Sequence, residues 1–202
     1  MPYSRPFAAI LSGTLALAAP AGSDEIRSSV DAASLAEDKK TGLGLYLTAQ
    51  DAHRALSADP DIVFIDVRDP NEVDFVGHPS AIDAIVPLLL ATREYVPQAR
   101  SYSMTPNDGF VAQVATVLDR EGAGVDDPIF VICRSGARGA DAVAMLDRAG
   151  YENVWNVVHG FQGDPGADGV RDLNGWRTAG LPWTYDIAPQ VAWTQTEPAA
   201  GH

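Results

Sequence analysis

Short, largely apolar runs alternate along this chain with stretches whose apolar residues recur at helical spacing. Ile62–Ile65, Ile129–Ile132 and Val154–Val158 are runs of the buried-strand kind, and Ala84–Pro87 is a further candidate strand. Between them, Thr48–Ala58 reads as a helix, with Thr48 as N-cap, Asp51 three residues on, and Ala52, Ala55 and Leu56 along one side. Pro70–Phe75 starts at a proline and carries acids early, which predicts a turn or two of helix. Phe110–Arg120 places Val111, Val114, Ala115 and Leu118 on one face. Ala137–Gly150 does the same with Ala140, Val143, Ala144 and Leu146, and stops at a glycine. Strands alternating with helices predict an α/β domain with a mainly parallel sheet. The polar residues 22–44 predict a helical or loose lead-in, and the Pro-containing residues 187–202 a flexible tail. The segment 88–108 is read as an excursion: a lid, a partner surface or a plain surface loop.

The chain's first residues change this picture at one end only. Arg5 precedes a small apolar run, Phe7–Ala19, and the small-x-small sites Ala16-Leu17-Ala18 and Ala19-Pro20-Ala21 follow. That pattern is expected of a signal peptide over residues 1–21, and hence of a periplasmic protein. The run is shorter than the ~20 residues needed to span a bilayer, so no stable membrane span is expected after cleavage. The formal net charge is −13, and removal of residues 1–21 leaves 13 basic residues against 27 acids. An acidic body repels nucleic acid and anionic membrane surfaces, so neither is an expected partner.

The candidate chemistry sits in Cys133-Arg134-Ser135-Gly136-Ala137-Arg138, between the Ile129 strand and the Ala137 helix. Cys133 is the chain's single cysteine, which excludes an internal disulfide. A thiol at a helix N-terminus, with backbone N–H groups, the positive end of the dipole and two arginines nearby, is expected to ionise readily and act as a nucleophile. The competing reading is a buried structural cysteine at a strand end. A second strand end carries Asp66-Val67-Arg68, and sites in parallel sheets lie beyond such ends.

These blocks resemble the rhodanese (sulfurtransferase) superfamily over Leu47 to Trp183. Ile65-Asp66-Val67-Arg68 with Glu72 and then Gly77-His78 is similar to its first signature, and the Cys133–Arg138 loop to its active-site loop. Ala149-Gly150-Tyr151-Glu152-Asn153-Val154 with Gly160-Phe161, and Gly175-Trp176 with Ala179-Gly180-Leu181-Pro182-Trp183, follow in the family's order. The resemblance implies a rhodanese-like domain over 45–186, with a mainly parallel central sheet and helices on both faces. It implies a Cys133 persulfide that takes sulfur from a small anionic donor such as thiosulfate. The acceptor would be a thiol, a cyanide-like nucleophile or a partner protein, and no cofactor or metal is implied. Arg134, Ser135, Gly136, Ala137 and Arg138 would form the anion-binding loop, with Arg138 steadying the donor, and Asp66, Arg68 and Glu72 would support it. Gly139 stands where many relatives have Ser or Thr, and His159 where they have Gly.

The alternatives are a persulfide carrier that turns over little, or a cysteine-dependent phosphatase or arsenate reductase. The latter use a wider Cys-x5-Arg cradle, whereas this chain has Cys133-x4-Arg138. Asp66 and Arg68 are expected to brace the loop, Glu72 to form an ion pair, and His78 to cap or brace a loop. His53 is expected in solvent, and His159 near the pocket. Asp164, Asp168, Asp172 and Asn174 do not follow Asp-x-Asp-x-Asp-Gly and are read as a solvated loop rather than a calcium site.

Overall fold

A computed structural model describes residues 25–194. The leader expected at 1–21 lies outside those residues. Five parallel strands form the central sheet in the order β1 (Tyr46–Leu47), β8 (Val154–Val157), β7 (Ile129–Ile132), β2 (Val63–Asp66), β4 (Ala84–Ile85). Every residue of β2, β7 and β8 is buried, because the sheet is covered on both sides. Alternate side chains divide between two cores, as a period of two requires. Val63, Ile65, Ile129, Val131 and Val154 meet α3 (Phe110–Glu121) and α4 (Ala137–Arg148) through Phe110, Val114, Val143 and Leu146. Phe64, Phe130, Ile132, Trp155 and Val157 meet α1 (Ala49–Ala58) and α2 (Pro70–Val76) through Ala49, Ala52 and Val73. The α/β architecture with helices on both faces is therefore the expected one.

The caps explain where the helices start and stop. Thr48 accepts the Asp51 N–H at 3.1 Å, and Gly122 ends α3 in the left-handed region. Asp69 caps α2 in a reciprocal capping box with Glu72, with Pro70 in the first turn.

Several expectations are corrected. The candidate strand Ala84–Pro87 pairs only over Ala84–Ile85, and the two-residue β1 was not foreseen. The excursion 88–108 is a hairpin of β5 (Leu89–Val96) and β6 (Ser101–Pro106), which forms its own two-stranded sheet with a register shift between Ala91 and Tyr95. Its base is held by Leu89 on the α3/α4 core and by the Ala91 N–H donating to Asp69 at 2.8 Å, while Tyr95, Tyr102 and Met104 are exposed. The tail expected to be flexible from 187 is docked as far as it is described. Ile187, Val191 and Trp193 pack on the α1/α2 core, and the Ile85 N–H donates to the Val191 carbonyl at 2.8 Å. The lead-in contains two single 3-10 turns, Ala32–Ser34 and Glu37–Lys39, and its Lys39 is buried. His53 is half-buried rather than solvated, edge-on to Trp176 at 5.7 Å between ring centroids. β3 (His78–Pro79) pairs with β9 (Trp183–Thr184) beside the main sheet.

The chain leaves β2 for β4 on one side and returns at β7 toward β8 on the other. Strand order thus reverses between β2 and β7, and the crevice of an open parallel sheet lies beyond their carboxyl ends.

Candidate active site

Cys133 follows directly on β7 and, at 1% exposure, is nearly covered by the α3/α4 core. Burial alone would suit a structural cysteine. Its sulfur, however, accepts the Gly136 N–H at 3.1 Å, from the residue that opens α4. Gly136 has φ 107°, and a Cβ there would lie 2.1 Å from the Val158 carbonyl oxygen. Gly160 is equally constrained: with φ 60°, a Cβ would come within 2.5 Å of the Cys133 oxygen. Residues after β8 hold the loop's carbonyls. Phe161 N–H donates to Cys133 O at 2.8 Å, while Gln162 and Gly163 donate to Arg134 O at 3.0 and 3.2 Å. With those acceptors engaged, an amide at the positive end of α4 faces the sulfur, an arrangement that favours negative charge.

The β2 end supplies the footing. Arg68 Nη2 donates to Asp66 Oδ2 at 2.5 Å and to Gly77 O at 2.8 Å, and Nε donates to Asp66 Oδ1 at 2.9 Å. Both side chains are fully buried, and the guanidinium carbon lies 4.5 Å from the centroid of the Phe161 ring. Since Phe161 holds the Cys133 carbonyl, the Asp66–Arg68 pair underpins the cysteine loop from the neighbouring strand.

Arg138 is placed differently from expectation. Its Nη1 and Nη2 donate to Glu72 at 2.5 and 2.7 Å in a two-pronged pair, so its head group grips α2 instead of standing free for a donor. Burial pushes the Glu72 carboxyl up, but the Arg138 fork and the Asp69 N–H outweigh it and hold it below its ordinary value. Burial likewise works against the charged Arg138, and Glu72 outweighs it, so Arg138 is raised. The reason is chain geometry: the Asp69 capping box orients Glu72 toward the first turn of α4. Arg134 is exposed and has no carboxylate partner among the described residues. Partial burial of its head group and the nearby charge of Arg171 shift it below the ordinary arginine value. Ser135 and Ala137 are half-buried in the same loop.

Several residues near the loop were not singled out from sequence. Asn156 of β8 is fully buried and donates to Gly136 O at 3.1 Å and to Lys39 O at 3.3 Å. A Cβ on Gly139 would lie 2.3 Å from Asn156 Oδ1, which accounts for glycine at that helix position. Lys39 pairs with Asp164 at 2.7 Å, and Asn174 Nδ2 donates to Asp164 at 3.1 Å. That part of the loop is therefore anchored to the lead-in, while Asp168 and Asp172 are exposed as read. His159 lies beside this cluster, and burial together with the Lys39 charge lowers its pKa. His78 braces as expected, through Pro79 O at 2.8 Å and Asp186 O at 3.3 Å. Among the described residues no group of three or more His, Cys, Asp or Glu could hold a metal. A cleft of about 1370 Å³ lies at the strands' amino ends between Ile26, Leu47, Ala55, Ile62 and Trp155, away from Cys133.

The sequence pattern of the rhodanese-like domain matches residues 48–164. Protein RP600 of Rickettsia prowazekii is 25% identical over 134 residues, covering 66% of this chain and 92% of that protein. The thiosulfate sulfurtransferase GlpE of Actinobacillus succinogenes is 33% identical over 66 residues, 32% of this chain and 49% of GlpE, so the match spans about half of that relative. The crystal structure of Rv0390 from M. tuberculosis superposes with a TM-score of 0.55 at 29% identity, covering 70% of this chain and 97% of that one.

Proposed function

Because the chain belongs to the rhodanese-like domain family, we propose that it is a sulfurtransferase carrying a sulfane sulfur on Cys133. The observation that supports this reading most is the Gly136 N–H directed at Cys133 Sγ from the start of α4, at 3.1 Å. In the first half-reaction the Cys133 thiolate attacks the outer sulfur of a donor such as thiosulfate. A sulfur–sulfur bond forms on Cys133, the donor's own sulfur–sulfur bond breaks, and sulfite leaves with its electron pair. In the second, an acceptor thiolate or cyanide attacks the outer sulfur of the Cys133 persulfide and the thiolate is regenerated. The amide at the helix start stabilises the negative sulfur of the thiolate before attack and after it is regenerated. Since Cys133 is the single cysteine, an acceptor thiol comes from another molecule. The leader expected at 1–21 supports a periplasmic setting for the reaction, which fractionation of cells expressing the full chain tests.

A second reading, a persulfide carrier for a dedicated partner, is favoured by the β5–β6 hairpin with its exposed tyrosines. Intact-mass measurement after thiosulfate treatment tests the shared step, with a gain of one sulfur atom expected. Steady-state thiocyanate formation with cyanide then separates the enzyme from the carrier. Aryl phosphate hydrolysis without a sulfur adduct would overturn both.

A further inference from the structure

In an acidic chain, a cation without an acid partner invites explanation. Among the described residues seven lysines and arginines form ion pairs with carboxylates. Most of the others stand apart for visible reasons. Arg93 and Arg100 are on the hairpin, Arg148 lies in the last turn of α4, where the dipole favours a cation, and Arg177 lies over Trp183. Arg134 and Arg171 remain, and they are close enough for the charge of one to disfavour the charge of the other.

Their proximity is built into the backbone. Arg171 Nη1 donates to the Gly163 carbonyl at 2.5 Å, and the Gly163 N–H donates to the Arg134 carbonyl at 3.2 Å. Gly163 thus fastens the head group of one arginine to the main chain of the other. At φ 83°, with a hypothetical Cβ only 1.9 Å from the Asn174 carbonyl oxygen, it admits no side chain. The turn carrying Arg171 is closed by an antiparallel bridge from Pro165 to Arg171 and tethered through Asp164 to Lys39 and Asn174. Like charges on these two adjoining segments are unfavourable to one another until an anion is bound between them. Arg138, the loop's other cation, is engaged by Glu72.

We propose that Arg171 is a substrate-binding residue which, with Arg134, grips the oxoanion end of the sulfur donor and favours thiosulfate-type donors, whose leaving group is sulfite, over alkyl persulfides, whose leaving group is a thiolate. The inference rests on the sulfur-transfer reading above. The bond changes are those already given: the sulfane sulfur moves to Cys133, and sulfite leaves with its electron pair against the two guanidinium groups.

The test compares the wild type with Arg171→Gln, which keeps a donor for the Gly163 carbonyl but removes the charge, and with Arg171→Lys. Persulfide formation is followed by intact mass in single turnovers, with thiosulfate and with cysteine persulfide as donors. Loss of one charge-assisted contact is expected to raise the half-saturating thiosulfate concentration about tenfold in Arg171→Gln. The limiting rate and the cysteine persulfide reaction should change little, and Arg171→Lys should recover part of the loss. An unchanged thiosulfate dependence, or an equal loss with both donors, would overturn the role of Arg171. If wild-type protein gains no sulfur from either donor, the sulfur-transfer reading itself fails. Sulfite titration of wild type and Arg171→Gln by calorimetry then still decides the anion site, with weaker binding by the variant supporting it and equal binding refuting it.

Discussion

The carboxyl ends of β2 and β7 lie side by side and each presents an arginine gripped by a carboxylate, yet the two are built for different ends. At β2, Asp66 and Arg68 are neighbours in sequence and sealed from water. At β7, Arg138 reaches across to Glu72 from another helix, and the pair keeps 15% and 25% of its side chains exposed. A sealed pair cannot be relaxed by solvent, so it holds one geometry, and its loss leaves a bare charge in the core. A half-open pair is screened, contributes less and can yield. The difference teaches that a rigid footing and an adjustable rim serve one loop: β2 fixes where the sulfur sits, and the rim around α4 keeps the freedom to adjust.

The largest effect is expected where the two regions meet. Cys133→Ser should abolish the one-sulfur mass gain entirely while leaving the unfolding midpoint close to wild type. A surviving adduct would remove the β7 end from the chemistry. Next, Asp66→Asn strands the buried Arg68 charge and should destabilise the fold by about 3–5 kcal/mol in urea titration; a near-wild-type midpoint would erase the contrast between sealed and open pairs. Gly139→Ser drives a Cβ against Asn156 and should cost about 1–3 kcal/mol, with most of the loss recovered in Gly139→Ser/Asn156→Ala. If the double variant is no more stable than the single one, Asn156 is not the obstacle.

The smallest effect belongs to the open pair. Glu72→Gln should cost about 1 kcal/mol or less at neutral pH. The Glu72 carboxyl is held below its ordinary value of 4.5, so its stabilisation is complete above that pH and drains away as pH falls through the lower folded value. Acid titrations of wild type and variant should therefore converge below pH 4.5 and separate above it. Parallel curves at all pH values would show that the pair carries no linkage.

The strands β2, β7 and β8 were legible because strands covered on both faces are predominantly apolar, Asp66 and Asn156 being their polar members, and α1 and α2 because their caps are local. The hairpin was not, since Thr92, Arg93, Glu94 and Tyr95 lack the alternation that a half-buried strand shows, and only its Leu89 end packs on the core. Docking of Val191 and Trp193 was hidden by the proline-containing tail, whose partners Ile85 and Gln113 are distant in sequence. In the site, spacing alone placed Cys133, Arg134 and Arg138 together. It could not say which cation is free, because that depends on Glu72, 66 residues away from Arg138. Lys39 and Asp164 are 125 residues apart, and no local pattern marks such a pair. Gly139 was noticed as unusual, and its reason, Asn156, became visible only in three dimensions.

Gly136 and Gly160 have a bearing on how a protein of this design can diversify. At either position any replacement drives a carbon into a neighbouring backbone, so heritable change there is closed off whatever the selective demand. The sulfur's cradle is in that sense frozen. On the sulfur-transfer reading, novelty in donor choice is left to positions whose side chains can vary without shifting the thiol, such as Arg134, Ser135 and the turn that carries Arg171, so descendants of this chain would diverge at the rim while their loop backbones stayed superimposable.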